Sequence, residues 1–222
     1  MILQEYLDRD LLAMEVARKM AGALENILLT HDRATLVVPG GTTPGPIFDV
    51  LSAARLDWDR VDVTLTDERW VDETSDRSNG ALLRRRLLVD RAVAATFKPL
   101  YRDGLDVDAG AVLVSEDLDA HLPISVLLLG MGADMHTASL FPGAEGLEAA
   151  LAADAPVALP IYAEGQEPRI SLSAHVLDGA MSKHLVIFGA EKRAALERAA
   201  DLTPRNAPIA AVLDELTVHW AE

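Results

Sequence analysis

The chain contains no cysteine. That excludes disulfide staples and thiolate metal sites, and it fits a reducing compartment, so a cytoplasmic location is expected. No apolar run approaches the ~20 residues of a membrane-spanning helix. The N-terminus, Met1-Ile2-Leu3-Gln4-Glu5-Tyr6, lacks a basic region ahead of an apolar stretch, so no secretory signal is visible. Positive charge is also scarce: 20 lysines and arginines against 35 aspartates and glutamates leave a formal net charge of −15. Nucleic acids and anionic membranes both call for a basic face, so neither is expected as a partner. A small anionic substrate stays open, because a few local cations and backbone N–H groups can hold a phosphate while exposed charges beyond about 10 Å are screened.

Several motifs are missing too. There is no His-Glu-x-x-His and no histidine pair beside a carboxylate, so a metal site is not expected. There is no Gly-x-Ser-x-Gly elbow for a serine hydrolase triad. Internal repeats, low-complexity tracts and linkers rich in Gly, Pro or Ser are absent. With 222 residues, half of them hydrophobic, one domain over 1–222 with a sizeable core is expected.

What is present alternates between two periodicities. Leu11–Leu29 has helical spacing, with Leu12, Val16, Met20, Ala23, Leu24 and Ile27 on one face and acidic Asp8 and Asp10 at its start. Thr35–Val38, Val61–Leu65, Ile124–Leu129, Val157–Ile161, Arg169–Ser173, His184–Phe188 and Leu216–Trp220 read as strands. Helices are expected from Pro44 to about Ala54 with Thr43 as cap, from Ser78 through Leu88, over Asp106–Ala120, over Glu145–Ala152 and over Glu191–Ala200, with a short one at Ile209–Leu213. Thr66-Asp67-Glu68-Arg69-Trp70 is charged and reads as loop. The alternation predicts an α/β fold: a Rossmann-like, mostly parallel sheet with helices on both faces.

The stretch with most chemical content runs from Val126 to Gly143. A buried strand ends in Gly130 and Gly132, and Asp134 and His136 follow in a segment of small residues. Beyond the end of a buried strand is where open α/β sheets place their chemistry; a tight turn with a capping Asp and an incidental His fits the same spacing. In Pro39-Gly40-Gly41-Thr42-Thr43, the two glycines let N–H groups converge and the threonines add hydroxyls at a helix start. This suits a phosphate, though an ordinary capped turn has the same residues. Asp67 and Arg69, at a strand end, face a ligand or form a surface ion pair. Arg169 and Lys192 open predicted elements and are cations suited to clamping a phosphate, or are simply solvated. The run Arg84-Arg85-Arg86 fans around a helix axis as a solvated face.

Together these segments resemble the 6-phosphogluconolactonases. The matching blocks are Val38–Pro44; Thr66–Val71 with the later Ser78-Asn79; Leu129–Gly143; and Arg169–Leu172. They occur in the family's order and span nearly the whole chain. The resemblance implies a fold shared with glucosamine-6-phosphate deaminases, no cofactor, and hydrolysis of 6-phospho-D-glucono-1,5-lactone, the second step of the oxidative pentose phosphate pathway. It implies substrate binding by Gly40, Gly41, Thr42, Thr43, Asp67, Arg169 and Lys192. His136 would be the base, oriented by Asp134, with Arg69 or N–H groups of the Gly130–Gly132 turn on the oxyanion. The deaminases carry a glutamate where this chain has Phe141 and an aromatic residue where it has Arg69, so amino-sugar isomerisation is the alternative. A non-catalytic sugar-phosphate sensor is the other. The family usually has Gly where this chain has Met135; an ordinary backbone is expected there, with the side chain turned away from the substrate. The expected partner is a small phosphosugar lactone, and the expected state a monomer or weak homo-oligomer.

Overall fold

A computed structural model describes residues 1–222. Its strands are β1 (Ile2–Glu5), β2 (Ala34–Val38), β3 (Val61–Leu65), β4 (Asp67–Arg69), β5 (Thr96–Phe97), β6 (Val126–Leu129), β7 (Ala158–Ile161), β8 (Arg169–Leu172), β9 (Lys183–Phe188) and β10 (Thr217–Ala221). Its α-helices are α1 (Arg9–Leu28), α2 (Gly45–Ser52), α3 (Asn79–Arg86), α4 (Val107–Asp119), α5 (Leu147–Ala150), α6 (Ala174–Asp178) and α7 (Gly189–Ala199).

Seven strands form one sheet in the order β1-β10-β9-β6-β2-β3-β5, and every neighbouring pair is parallel. Every residue of β2, β3 and β6 is buried, so helices cover both faces of the sheet's centre. From β2 the chain steps outward through β3 to β5, then returns to β6 and steps the other way through β9 and β10. The order reverses between β2 and β6, and a crevice opens beyond their carboxyl ends. Helix α1 lays Leu12, Val16, Met20 and Leu24 into the core, while Ala23 and Ile27 on the expected face are only half-buried. The Asp8 carboxylate caps this helix by accepting from the Leu11 N–H at 2.7 Å. Ser78 and Asp106 cap α3 and α4 in the same way.

Two expectations are corrected. Thr66–Trp70 is not simply loop: Asp67–Arg69 is β4, part of a second, antiparallel sheet in the order β4-β8-β7. Charged residues can sit in this strand because each finds partners inside. Glu68, 1% exposed, accepts from the N–H groups of Arg69, Asn79 and Gly80 and from the Ser78 hydroxyl, at 2.7–3.0 Å. Its carboxylate thereby tethers the start of α3. Burial pushes Glu68 above the usual carboxylate range, and these donors oppose the shift. The other correction is at α2. Thr43 does not cap it; Pro44 holds the cap position without a side-chain bond, and the turn closes through Gly45 N–H donating to the Thr42 carbonyl at 3.3 Å. Neither threonine hydroxyl is spent on the protein.

Candidate active site

A cleft of about 310 Å³ lies at the switch point, of a size suited to a small molecule. The turn after β2, the turn after β6, the β4–β8 pair and the start of α7 all contribute to it.

After β2, Gly40 and Gly41 cannot be replaced freely, for different reasons. Gly41 has φ +84°, in the left-handed region. At Gly40 a Cβ would fall 1.9 Å from Asn79 Oδ1, so the asparagine packs directly on the backbone. Asn79 Nδ2 also donates to the Asp67 carbonyl at 3.0 Å, tying the turn to β4. Asn79 lines the cleft, and its only sequence signal is its place in the Ser-Asn pair that opens α3.

After β6 the chain folds back on itself. Gly132 N–H donates to the His136 carbonyl at 2.9 Å, Met135 N–H to the Gly132 carbonyl at 3.0 Å, and the Thr137 hydroxyl to the Gly130 carbonyl at 2.9 Å. This reversal brings Asp134 Oδ1 to 2.5 Å from His136 Nδ1. The carboxylate can only accept, so Nδ1 donates in this bond, and Nε2 has no protein partner. The pair lies directly against the backbone: a Cβ at Gly132 would meet His136 Nδ1 at 2.2 Å and Asp134 Oδ1 at 2.4 Å.

The expectation of ordinary backbone at Met135 is overturned. Its φ is +66°, and Ala138 follows at +50°. The tight reversal needs left-handed residues at both places, and contacts elsewhere hold them there: Met135 packs against the core and its carbonyl accepts from Ile209 N–H at 3.1 Å. Met135 does not line the cleft.

The β4–β8 register sets Arg69 directly opposite Arg169. Like charges facing across a strand pair are unfavourable. Each guanidinium has a buried Nε without a partner. Arg69 donates Nη1 to the Arg77 carbonyl at 2.5 Å. Arg169, 7% exposed, donates to Gln166 Oε1 at 2.6 Å and to Ser139 Oγ at 3.4 Å. Burial, and then the neighbouring Arg69, hold its guanidinium below the usual arginine range. An anion in the cleft relieves this repulsion.

Asp67 also lines the cleft, but its carboxylate is committed: Oδ1 accepts from Thr66 Oγ1 at 2.8 Å, Oδ2 from Ser139 Oγ at 2.6 Å, and Oδ2 lies 3.9 Å from Arg169. Lys192, in the first turn of α7, donates Nζ to the Met131 carbonyl at 2.7 Å and reaches the cleft from the far side. All ten expected site residues except Asp134 line the cleft, and Asp134 touches it through His136. The Gly132 N–H is spent on the His136 carbonyl, so this group of the turn is not free for an oxyanion, whereas Arg69 lines the cleft. Ser139, Gln166 and Phe141 were not singled out from spacing; polar or apolar residues without periodicity carry no signal of what they will touch.

An open parallel sheet with a histidine and a glycine–threonine turn meeting at its switch point defines a class: an α/β protein with a cleft for a small molecule beyond the carboxyl ends of its central strands. The comparisons narrow it. The family profile described as glucosamine-6-phosphate isomerases/6-phosphogluconolactonase matches residues 7–220. A 6-phosphogluconolactonase from Caulobacter vibrioides is 37% identical, over 99% of this chain and 97% of its own. The crystal structure of a 6-phosphogluconolactonase from Shewanella baltica superposes with a TM-score of 0.95 at 32% identity, covering 100% of this chain and 97% of that one. A monomeric glucosamine-6-phosphate deaminase shares the fold, with a TM-score of 0.83 at 14% identity over 100% and 98% of the two chains. The chain belongs to the glucosamine-6-phosphate isomerase/6-phosphogluconolactonase family.

Proposed function

We propose that this chain, an enzyme of the 6-phosphogluconolactonase type, hydrolyses 6-phospho-D-glucono-1,5-lactone to 6-phospho-D-gluconate. The observation that carries the reading is one cleft lined both by the Gly40–Thr43 turn and by a histidine whose Nε2 has no protein partner. The N–H groups and hydroxyls of the turn, with Lys192 and Arg169, hold the phosphate and so fix the far end of the sugar. A water attacks C1, and His136 Nε2 takes its proton as the C–O bond forms. Asp134 stabilises the imidazolium, and Arg69 the oxyanion of the tetrahedral intermediate. The C1–ring oxygen bond then breaks, the imidazolium returns its proton to the leaving ring oxygen, and the carboxylic acid formed at C1 loses the water's other proton to solvent. A lactone is an activated ester, so no covalent intermediate is needed. Asp67 acts by holding Arg169 and Ser139. The reading carries with it the oxidative pentose phosphate pathway, a cytoplasmic location and a monomer or weak homo-oligomer.

Phe141 stands 4.4 Å from the His136 ring, where a carboxylate partner for ring opening would be needed, so deamination is disfavoured. The test is phosphogluconate production from fresh lactone, coupled to its dehydrogenase, with spontaneous hydrolysis subtracted. Acceleration by the protein is expected. Ammonia release from glucosamine 6-phosphate would point to the isomerase, and thermal stabilisation by sugar phosphates without turnover to a sensor.

A further inference from the structure

One side chain behind the cleft touches both of its working ends. The half-buried Phe141 ring lies 4.4 Å, centroid to centroid, from the His136 imidazole at an interplanar angle of 44°. The Arg169 guanidinium carbon lies over the same ring, 5.0 Å from its centroid. Phe141 itself is absent from the cleft lining and lies behind His136 and Arg169, which line it. We infer that Phe141 is a positioning residue that holds the base and the anion-binding arginine against one aromatic ring and thereby fixes the spacing between the two ends of the substrate. This rests on the lactonase reading for its meaning in turnover, though not for its effect on the two side chains.

The physical case has two parts. First, neither partner is held fully without the ring. His136 has one side-chain tether, to Asp134, about which the imidazole can still tilt. Arg169 has bonds to Gln166 and Ser139 and a longer ionic contact with Asp67 at 3.9 Å but leaves Nε unpartnered, and the aromatic surface adds a restraint on its plane. Second, the ring's negative face favours a cation on it. Arg169 is a permanent cation, and His136 becomes one when it takes a proton. The ring therefore steadies the imidazolium against the cations lining the cleft, which are Arg69 from β4, Arg169 from β8 and Lys192 from α7; the opposing charges are Asp134, bonded to the imidazole, and Asp67 from β4, which sits beside Arg169. An aliphatic side chain of similar bulk fills the space but offers no such face.

Phe141→Leu and Phe141→Tyr separate the two properties, since leucine keeps apolar bulk and tyrosine keeps the π face. For Phe141→Leu, kcat is expected to fall about tenfold through misplacement of the base. KM should rise about fivefold through loosening of Arg169. The acid limb of the pH profile should move down by about half a unit as the imidazolium loses its aromatic neighbour. Phe141→Tyr should stay close to wild type in all three. Two measurements need no turnover: NMR titration of the His136 ring protons, expected to move down in Phe141→Leu, and affinity for inorganic phosphate, expected to weaken. If wild type fails to hydrolyse the lactone, the proposed function falls while these two still decide the role of Phe141. A folded Phe141→Leu protein with wild-type His136 titration and phosphate affinity overturns the inference. So does an equal loss in the leucine and tyrosine variants, which would mark a purely structural role.

Discussion

Gly132 offers the sharpest test of the proposed base, because the atoms nearest to a methyl group there belong to His136 and Asp134. A Cβ on Gly132 would lie 2.2 Å from His136 Nδ1, 2.3 Å from Cε1 and 2.4 Å from Asp134 Oδ1. Ordinary contact starts near 3.4 Å, so the imidazole must retreat by roughly 1.2 Å or swing away. The backbone cannot yield instead, because the Gly132 N–H and carbonyl are both bonded within the turn. A displacement of about 1 Å at a reacting group costs on the order of 10²-fold in rate. Stability should hardly move. Gly132 does not need a left-handed backbone, so alanine gains about 0.4–1 kcal/mol from the unfolded chain. The disturbed Asp134–His136 pair is partly exposed, and such pairs contribute about 0–1 kcal/mol. Gly132→Ala is therefore expected to melt within a few degrees of wild type while kcat for the lactone falls about a hundredfold. A folded variant with kcat within threefold of wild type would refute the placement of the pair at the reacting carbon.

Removing the base itself, His136→Ala, should lower kcat by at least about 10²-fold in the same coupled assay, with KM little changed. Arg169→Ala should raise KM by about 10- to 100-fold, the loss of a charge-assisted contact of ~1.5–3 kcal/mol, and an unchanged KM would remove it from the phosphate site. Met135→Gly should leave kcat unaltered, because the left-handed backbone it needs comes at no steric cost to glycine and its side chain is outside the cleft; a large loss would show that the methionine packing, rather than the backbone shape, holds the pair. Finally, His184 and His219 are buried across β9 and β10 and hydrogen-bonded to each other at 3.0 Å. Burial, with His184 beside His219 and Lys19 near both, holds them down to about 4 and about 3. The unfolded chain, titrating near 6.5, binds more protons below that pH. Stability is thus complete above about pH 6.5 and falls as the pH drops toward 4, by on the order of 4 kcal/mol for the pair between pH 7 and 4.5. Urea midpoints measured across that range check this, and a flat profile contradicts it.

Elements whose burial is written in their own residues were legible in the sequence. The apolar runs gave β2, β6 and β9, the alternation of Val61, Val63 and Leu65 gave β3, the period of Leu12, Val16, Met20 and Leu24 gave α1, and Ser78 and Asp106 marked helix starts. What escaped depends on residues far along the chain. Strand β4 reads as loop because Asp67 and Glu68 carry charge, yet the groups that satisfy Glu68 come from residues 78–80 and those of Asp67 include Ser139. Edge strand β1 is mostly exposed and β5 is two residues long, so neither shows a pattern. The left-handed Met135 is invisible locally, because propensity argues against it and only the surrounding turn demands it. Within the site, the glycines and the Asp134–His136 spacing were legible, but the pairing of Arg69 with Arg169 required the β4–β8 register.

The same electrostatics bear on both ends of the proposed reaction. A chain of net charge −15 repels an anion at long range, yet Arg69, Arg169 and Lys192 line the cleft, two of them face to face. Screening beyond about 10 Å leaves the substrate phosphate to feel mainly these local cations. Hydrolysis then adds a second charge: the neutral lactone carbonyl becomes a carboxylate at the end of the sugar nearest His136 and Asp134. Once the imidazolium has given its proton back, that carboxylate faces a neutral ring backed by the Asp134 carboxylate 2.5 Å behind it. The lactone meets no such repulsion because it carries no charge there. On the proposed mechanism, the pair that draws a proton from water is thus also the group that makes the product less welcome than the substrate at C1, while the phosphate contacts are the same for both.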